Sequence, residues 1–200
     1  LCAPPDDRKD LPVITRRHAL GAGGLTLLLA ACQSAPPPRR IPEDGTIDML
    51  TLLRSKPEHS RYVNALVVSG AAARIGRANG AVTLFVPANE AMNALPAATL
   101  ALLDSPPAQP SEAQRQQIGA LVFANAAWGL LRLGDIAARR NTVVTWDRAR
   151  LVVTPSGERT ARLAREGVTL AANTAPPTIL RADVLASDGV FHVTSGLIIP

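Results

Sequence analysis

Thr83-Leu84-Phe85-Val86-Pro87-Ala88-Asn89-Glu90-Ala91-Met92 sets an apolar, β-type run against a proline and then a polar, helix-starting group. The stretch from Ala81 to Val86 alternates loosely and reads as a strand. Pro87 has no amide hydrogen to give a sheet, so it closes that strand. Asn89 is expected to cap a short helix, with Ala91 and Met92 turned toward the core. Upstream, Ile47, Leu50 and Leu52/Leu53 fall on one face of a short helix after Thr46. Tyr62, Val63, Leu66 and Val67 mark a second helix from about Ser60, ended or interrupted at Ser69-Gly70. Downstream, Ser111 with Gln114 has the form of a capping box for a helix running to about Ala124. Beyond Asn141 the pattern turns to strands, expected over 142–146, 150–154, 167–171, 178–185 and 190–199. Helices first and strands later give an α+β class. No internal repeat is visible.

A second segment, Ala182-Asp183-Val184-Leu185-Ala186-Ser187-Asp188-Gly189-Val190-Phe191-His192-Val193, reads as strand, turn and strand. Ser187-Asp188-Gly189 is turn chemistry, with Gly189 placed to tolerate positive φ. Val190, Phe191 and Val193 predict a largely buried strand. His192 has no Asp or Cys partner at a motif spacing, which favours a packed, hydrogen-bonded histidine over a ligand or pH-sensing one.

These two segments resemble the two signatures of the fasciclin domain, and Leu197-Ile198-Ile199-Pro200 resembles its closing residues. The resemblance covers 46–200. It implies a single fasciclin-like domain, a β-sandwich or wedge flanked by several short helices. It also implies structural roles for Phe85, Pro87, Asn89, Ala91, Asp183, Ser187, Gly189, His192 and Val193. Two departures stand out. Where many members carry a Tyr-His pair before a Pro-Gly turn, this chain has Ala124-Asn125, with Trp128 in place of the proline. Ser195 stands where an aspartate is common. The Tyr-His region is linked to integrin adhesion in animal members, so that activity is not carried over.

The N-terminal 45 residues have a different logic. Arg16-Arg17 precede a short apolar stretch interrupted by Gly21, Gly23 and Gly24, the layout of an export signal of twin-arginine type, with general secretory export as the alternative. Leu29-Ala30-Ala31-Cys32 resembles a lipobox. The resemblance implies cleavage before Cys32 and acylation of its sulfur and its new amine, a sufficient membrane anchor. Gln33 after the cysteine suggests the outer membrane of a Gram-negative cell. Residues 33–45 carry four prolines and read as an extended tether. The expected organisation is a signal region over 1–31, a lipidated linker over 32–45 and the domain over 46–200.

Composition removes several classes. Of 200 residues, 47% are hydrophobic and 18% charged, unlike a disordered chain. No apolar run nears the ~18 residues of a spanning helix. Two cysteines, Cys2 and Cys32, cannot build a disulfide scaffold, and His18, His59 and His192 are too scattered for a metal site. No metal or cofactor is expected. The net charge of +5 comes from dispersed arginines, and aromatics are only 3%, so nucleic acid is not the expected partner. No phosphate loop or nucleophile elbow is present, and consecutive Glu58-His59-Ser60 cannot form a triad, so no enzyme is expected. The leading expectation is an envelope-anchored adhesion or surface-interaction module whose partner is a protein or polysaccharide. The alternative is a periplasmic binder or carrier of a small or lipidic ligand, with a groove along 97–103 and 118–128. Trp128, Trp146 and the basic stretch 130–140 are the candidates for a partner surface, with burial of both tryptophans as the alternative.

Overall fold

Several secondary-structure elements begin or end on a residue whose chemistry accounts for it. A computed structural model describes residues 41–77, 81–170 and 174–199. Arg16, Arg17, Leu29, Ala30, Ala31 and Cys32 lie outside the described residues. Helix α1, Met49–Arg54, starts where the Asp48 carboxylate accepts the Thr51 amide at 2.8 Å. Helix α2, Ser60–Val68, and α3, Ala71–Arg77, are separated by Gly70 at φ +75°. Strand β1, Val82–Pro87, is followed by a 3-10 turn over Glu90–Ala94 and by α4, Ala97–Asp104. Helix α5, Glu112–Ala124, has the expected reciprocal cap. The Gln114 amide donates to Ser111 Oγ at 3.2 Å, and the Ser111 amide donates to Gln114 Oε1 at 2.8 Å. Strand β2, Ala126–Trp128, helix α6, Leu133–Ala138, and strand β3, Thr142–Val144, follow. The chain then turns to β4, Arg150–Pro155, β5, Ala161–Arg165, β6, Thr178–Ala186, and β7, Gly189–Thr194.

The seven strands form one mixed sheet in the order β2-β1-β7-β6-β5-β4-β3. Only β1 and β7 run parallel, from Val82 opposite Gly189 to Pro87 opposite Thr194. The two outer strands meet. Ala127 bridges Thr145, and the Trp146 amide donates to Ala126 O at 2.8 Å. The sheet is therefore folded back on itself, with α1–α5 packed on one face. Strand β1 is buried on both sides, which explains its near-continuous apolar run. Leu84 and Val86 join Leu52, Tyr62, Leu66 and Val122 under the helices. Phe85, on the opposite face, joins Leu151, Leu163, Ile179 and Ile198 inside the folded sheet.

Four local expectations are corrected. The strand expected over 167–171 lies at Ala161–Arg165, where Ala161 and Leu163 alternate inward; Gly167, at φ +78°, belongs to the turn that ends it. The last strand stops at Thr194, whose hydroxyl donates to Gly196 O at 2.9 Å and turns the chain away. Asn89 does not cap the turn that follows it: its Oδ1 accepts the Arg61 amide at 3.0 Å, in the first turn of α2. Gly189 does not have positive φ. A Cβ there would lie 2.0 Å from Val82 O, so the glycine permits close approach of β1 rather than an unusual turn.

Candidate functional site

The signature residues hold the two halves of the fold together. His59 and His192 are both buried. The His59 Nδ1–H donates to Pro87 O at 3.1 Å, tying the end of β1 to the start of α2. Asn89 completes that junction by donating to Pro57 O and to Ser60 Oγ, each at 3.0 Å. Met92 is buried, whereas Ala91 is only half-buried. His192 stacks on Phe85 with ring centroids 5.5 Å apart. Its Nε2–H donates to Leu131 O at 2.9 Å, and its Nδ1 accepts the Asp183 amide at 3.2 Å. Both nitrogens serve the neutral ring, and burial pushes both imidazoles below the ordinary histidine range. Asp183 sits in a β6 bulge at φ +61°, and its carboxylate accepts the Leu133 amide, the first of α6, at 2.8 Å. The Ser187 amide donates to Ile47 O at 2.9 Å, and Val193 faces the helical cluster.

The Ala124-Asn125 departure has its own structural logic. Asn125 is fully buried. Its amide group donates to Leu121 O at 2.9 Å and Ile198 O at 2.8 Å, and its Oδ1 accepts the Ile198 amide at 3.1 Å. One side chain thus satisfies the end of α5 and fastens the C-terminal segment. Ser195 Oγ accepts the Thr178 amide at 2.9 Å.

Of the candidate partner residues, the two tryptophans split. Trp146 is 8% exposed and Trp128 is 48% exposed. The seam between β2 and β3 places their rings 4.7 Å apart. Phe123, from the last turn of α5, meets Trp146 edge-on at 5.9 Å. The Arg74 guanidinium, from α3, lies 5.5 Å from the Phe123 centroid, 5.0 Å from Trp128 and 4.8 Å from Trp146. Trp128, Trp146 and Arg74 wall a cleft of about 460 Å³ that Arg139 and Arg148 also line, and Phe123 backs the Trp146 ring. Sequence reading named both tryptophans and the basic stretch 130–140 that contains Arg139. It missed Arg74, Phe123 and Arg148, which arrive from other elements and share no spacing motif. The expected groove is not formed: along 118–128 most residues are core, Ile118 and Val122 among them, whereas along 97–103 only Thr99 and Leu103 are buried and Ala97, Ala98 and Ala101 are exposed. Leu121 instead helps line a separate, apolar cleft of about 320 Å³ with Leu95, Leu197 and Ile199.

A sheet folded around a second core, a parallel β1–β7 pair and a histidine locked between β7 and the segment before α6 define a fasciclin domain. The fasciclin-domain profile matches residues 57–200, so the chain belongs to that family. Among solved structures, a FAS1 domain pair from the insect cell adhesion molecule Fasciclin I is similar, with 14% identity and a TM-score of 0.61. The match covers 78% of this chain and 52% of that one, so the chain spans about half the length of the pair. No curated protein matches the chain.

Proposed function

We propose that the chain is an envelope-anchored fasciclin lipoprotein acting as a non-catalytic adhesion or surface-interaction module. The observation that carries this reading is the half-exposed Trp128, set against the Arg74 guanidinium on a family fold found in an adhesion molecule. Tryptophan and arginine are the residues that most often anchor interfaces. The non-catalytic part is supported by His192, whose two ring nitrogens are both committed to backbone groups, so it is not free to act as a general base. The anchoring part rests on the signal at Arg16-Arg17 and the lipobox ending at Cys32. The test is attachment of host cells to surfaces and matrix. Deletion should reduce it, the native chain should restore it, and Cys32→Ser should not. Unchanged attachment after deletion would refute the reading.

The second reading, a carrier of a small lipidic ligand, is favoured by the apolar cleft between Leu95, Leu121, Leu197 and Ile199. Native mass spectrometry of protein extracted from its host should then show a reproducible extra mass, which Leu121→Asp abolishes.

A further inference from the structure

We propose that the cleft between Trp128, Trp146 and Arg74 binds a carboxylate-bearing sugar of an acidic polysaccharide. The inference rests on the surface-interaction reading and names the chemistry of its partner.

Three guanidiniums, those of Arg74, Arg139 and Arg148, line one recess. Among the described residues none of the three takes part in an ion pair. The neighbouring acid, Asp147, is spoken for: it accepts from Arg165, Thr145 and the Ala149 amide. The recess therefore presents unneutralised positive charge. Planar guanidinium forks match carboxylate geometry in a bidentate way. The charge stands beside an aromatic wall. Trp128 and Trp146 stack on each other, 4.7 Å apart with their planes tilted by 33°, and the half-exposed Trp128 is the one that offers surface to the apolar face of a ring. The Trp146 Nε1–H is buried and has no hydrogen-bond acceptor among the described residues. An unmet buried donor is costly and uncommon. A ring bearing both an anionic group and an apolar face uses the charge and the aromatic surface together. A simple anion uses only the first.

The seam argues against an extended acidic peptide. A peptide added as a strand needs a free sheet edge, and here the two edge strands bridge each other at Ala127 and Thr145.

The test titrates the full chain with trigalacturonic acid. Trigalactose serves as the neutral comparator, inorganic sulfate as the simple anion, and phosphatidylglycerol vesicles as the membrane. The chain has two tryptophans, both in the cleft, so intrinsic emission reports on the site directly, and calorimetry gives the affinity. The expected result is saturable binding of trigalacturonate that weakens with salt. Trp128→Ala and Arg74→Gln should each weaken it about tenfold in variants that remain folded by circular dichroism, while Arg162→Gln, on β5, leaves it unchanged. Arg139→Gln and Arg148→Gln give a second pair should either first variant unfold. Absent binding, equal binding of trigalactose or sulfate, or binding of vesicles alone would each overturn the proposal. The two readings fail separately. Attachment lost on deletion but retained by Arg74→Gln cells overturns the sugar site alone. Trigalacturonate binding without any attachment defect on deletion overturns the adhesion reading alone.

Discussion

At the scale of single residues, two positions are fixed by what surrounds them rather than by their own propensity. Gly189 begins β7 directly beside the start of β1. An added Cβ would sit 2.0 Å from Val82 O, 2.8 Å from Val82 N and 2.9 Å from Met49 Cε. Two of these are backbone atoms of a fully buried strand and cannot step aside. Gly189→Ala should therefore cost about 3 kcal/mol or more in urea unfolding, near the upper end for overpacking. A loss under 1 kcal/mol would show that the β1–β7 pair can separate locally. His192 makes a pH prediction. Its folded pKa is depressed by burial below the ordinary 6.5, against the opposing effects of the Leu131 carbonyl and the Asp183 charge. As pH falls through about 6.5 the unfolded state takes up a proton that the folded state refuses, so stability falls. Above pH 7 this contribution is complete and the curve is flat. The limiting slope is about 1.4 kcal/mol per pH unit for one histidine. Buried His59 adds a contribution of the same sign. The carboxyl of Asp48, held low by hydrogen bonds from Thr51, acts only in more acid solution. Urea midpoints between pH 7.5 and 5 check this: His192→Gln should be less stable at pH 7.5 but have a visibly shallower slope. An unchanged slope would count against the linkage.

At the scale of elements, what the sequence made legible was local, and what it hid was shared between distant segments. The α5 cap depends on residues three apart, and the Gly70 break on one residue's φ, so both could be read. Strand β1 was readable because its apolar run ends at a proline. Asn89 misled because its partner is Arg61, 28 positions earlier; a polar residue before a helical turn looks the same whether it caps that turn or another. The 167–171 stretch misled because Val168 and Leu170 follow the strand rhythm, yet Val168 is 40% exposed. The β6 bulge had no visible signal at all. Asp183 stands at φ +61° where β6 slips register between Arg181 and Val184, and this turns its carboxylate onto the first amide of α6. The bulge is thus the joint between sheet and helix. Asp183→Val combines a β-branched side chain at positive φ with loss of that acceptor, and should destabilise by about 2–3 kcal/mol. Asp183→Asn keeps both features and should cost under about 1 kcal/mol. Equal losses in the two variants, measured by thermal unfolding, would rule out the bulge as the cause.

At the scale of the whole described domain, the sheet's closure joins stability to the candidate site. Open sheets leave unpaired strand edges that invite association. Here β2 and β3 cover each other through the Ala127–Thr145 bridge and the Trp146 amide. The same contact fixes the ring of Trp146 against that of Trp128, which stands opposite Val82 at the end of β2. Phe123 and Arg74 then arrive from α5 and α3, so the cleft exists only where sheet closure and helix packing are both complete. This explains why its residues could be named singly from sequence but not assembled. It also separates two outcomes in native-state hydrogen exchange. If the seam is part of the cooperative fold, the Trp146 amide should exchange only through global opening, with protection matching central amides such as that of Val82, which donates from β1 to Asp188 O beside β7. If the seam frays like an ordinary edge, Trp146 should exchange orders of magnitude faster than those amides while they remain protected. Fast exchange would also loosen the tryptophan pair, so the emission of the two indoles should then respond to mild urea well before the unfolding midpoint. A seam closed by the main chain predicts instead one transition for emission, exchange and secondary structure alike.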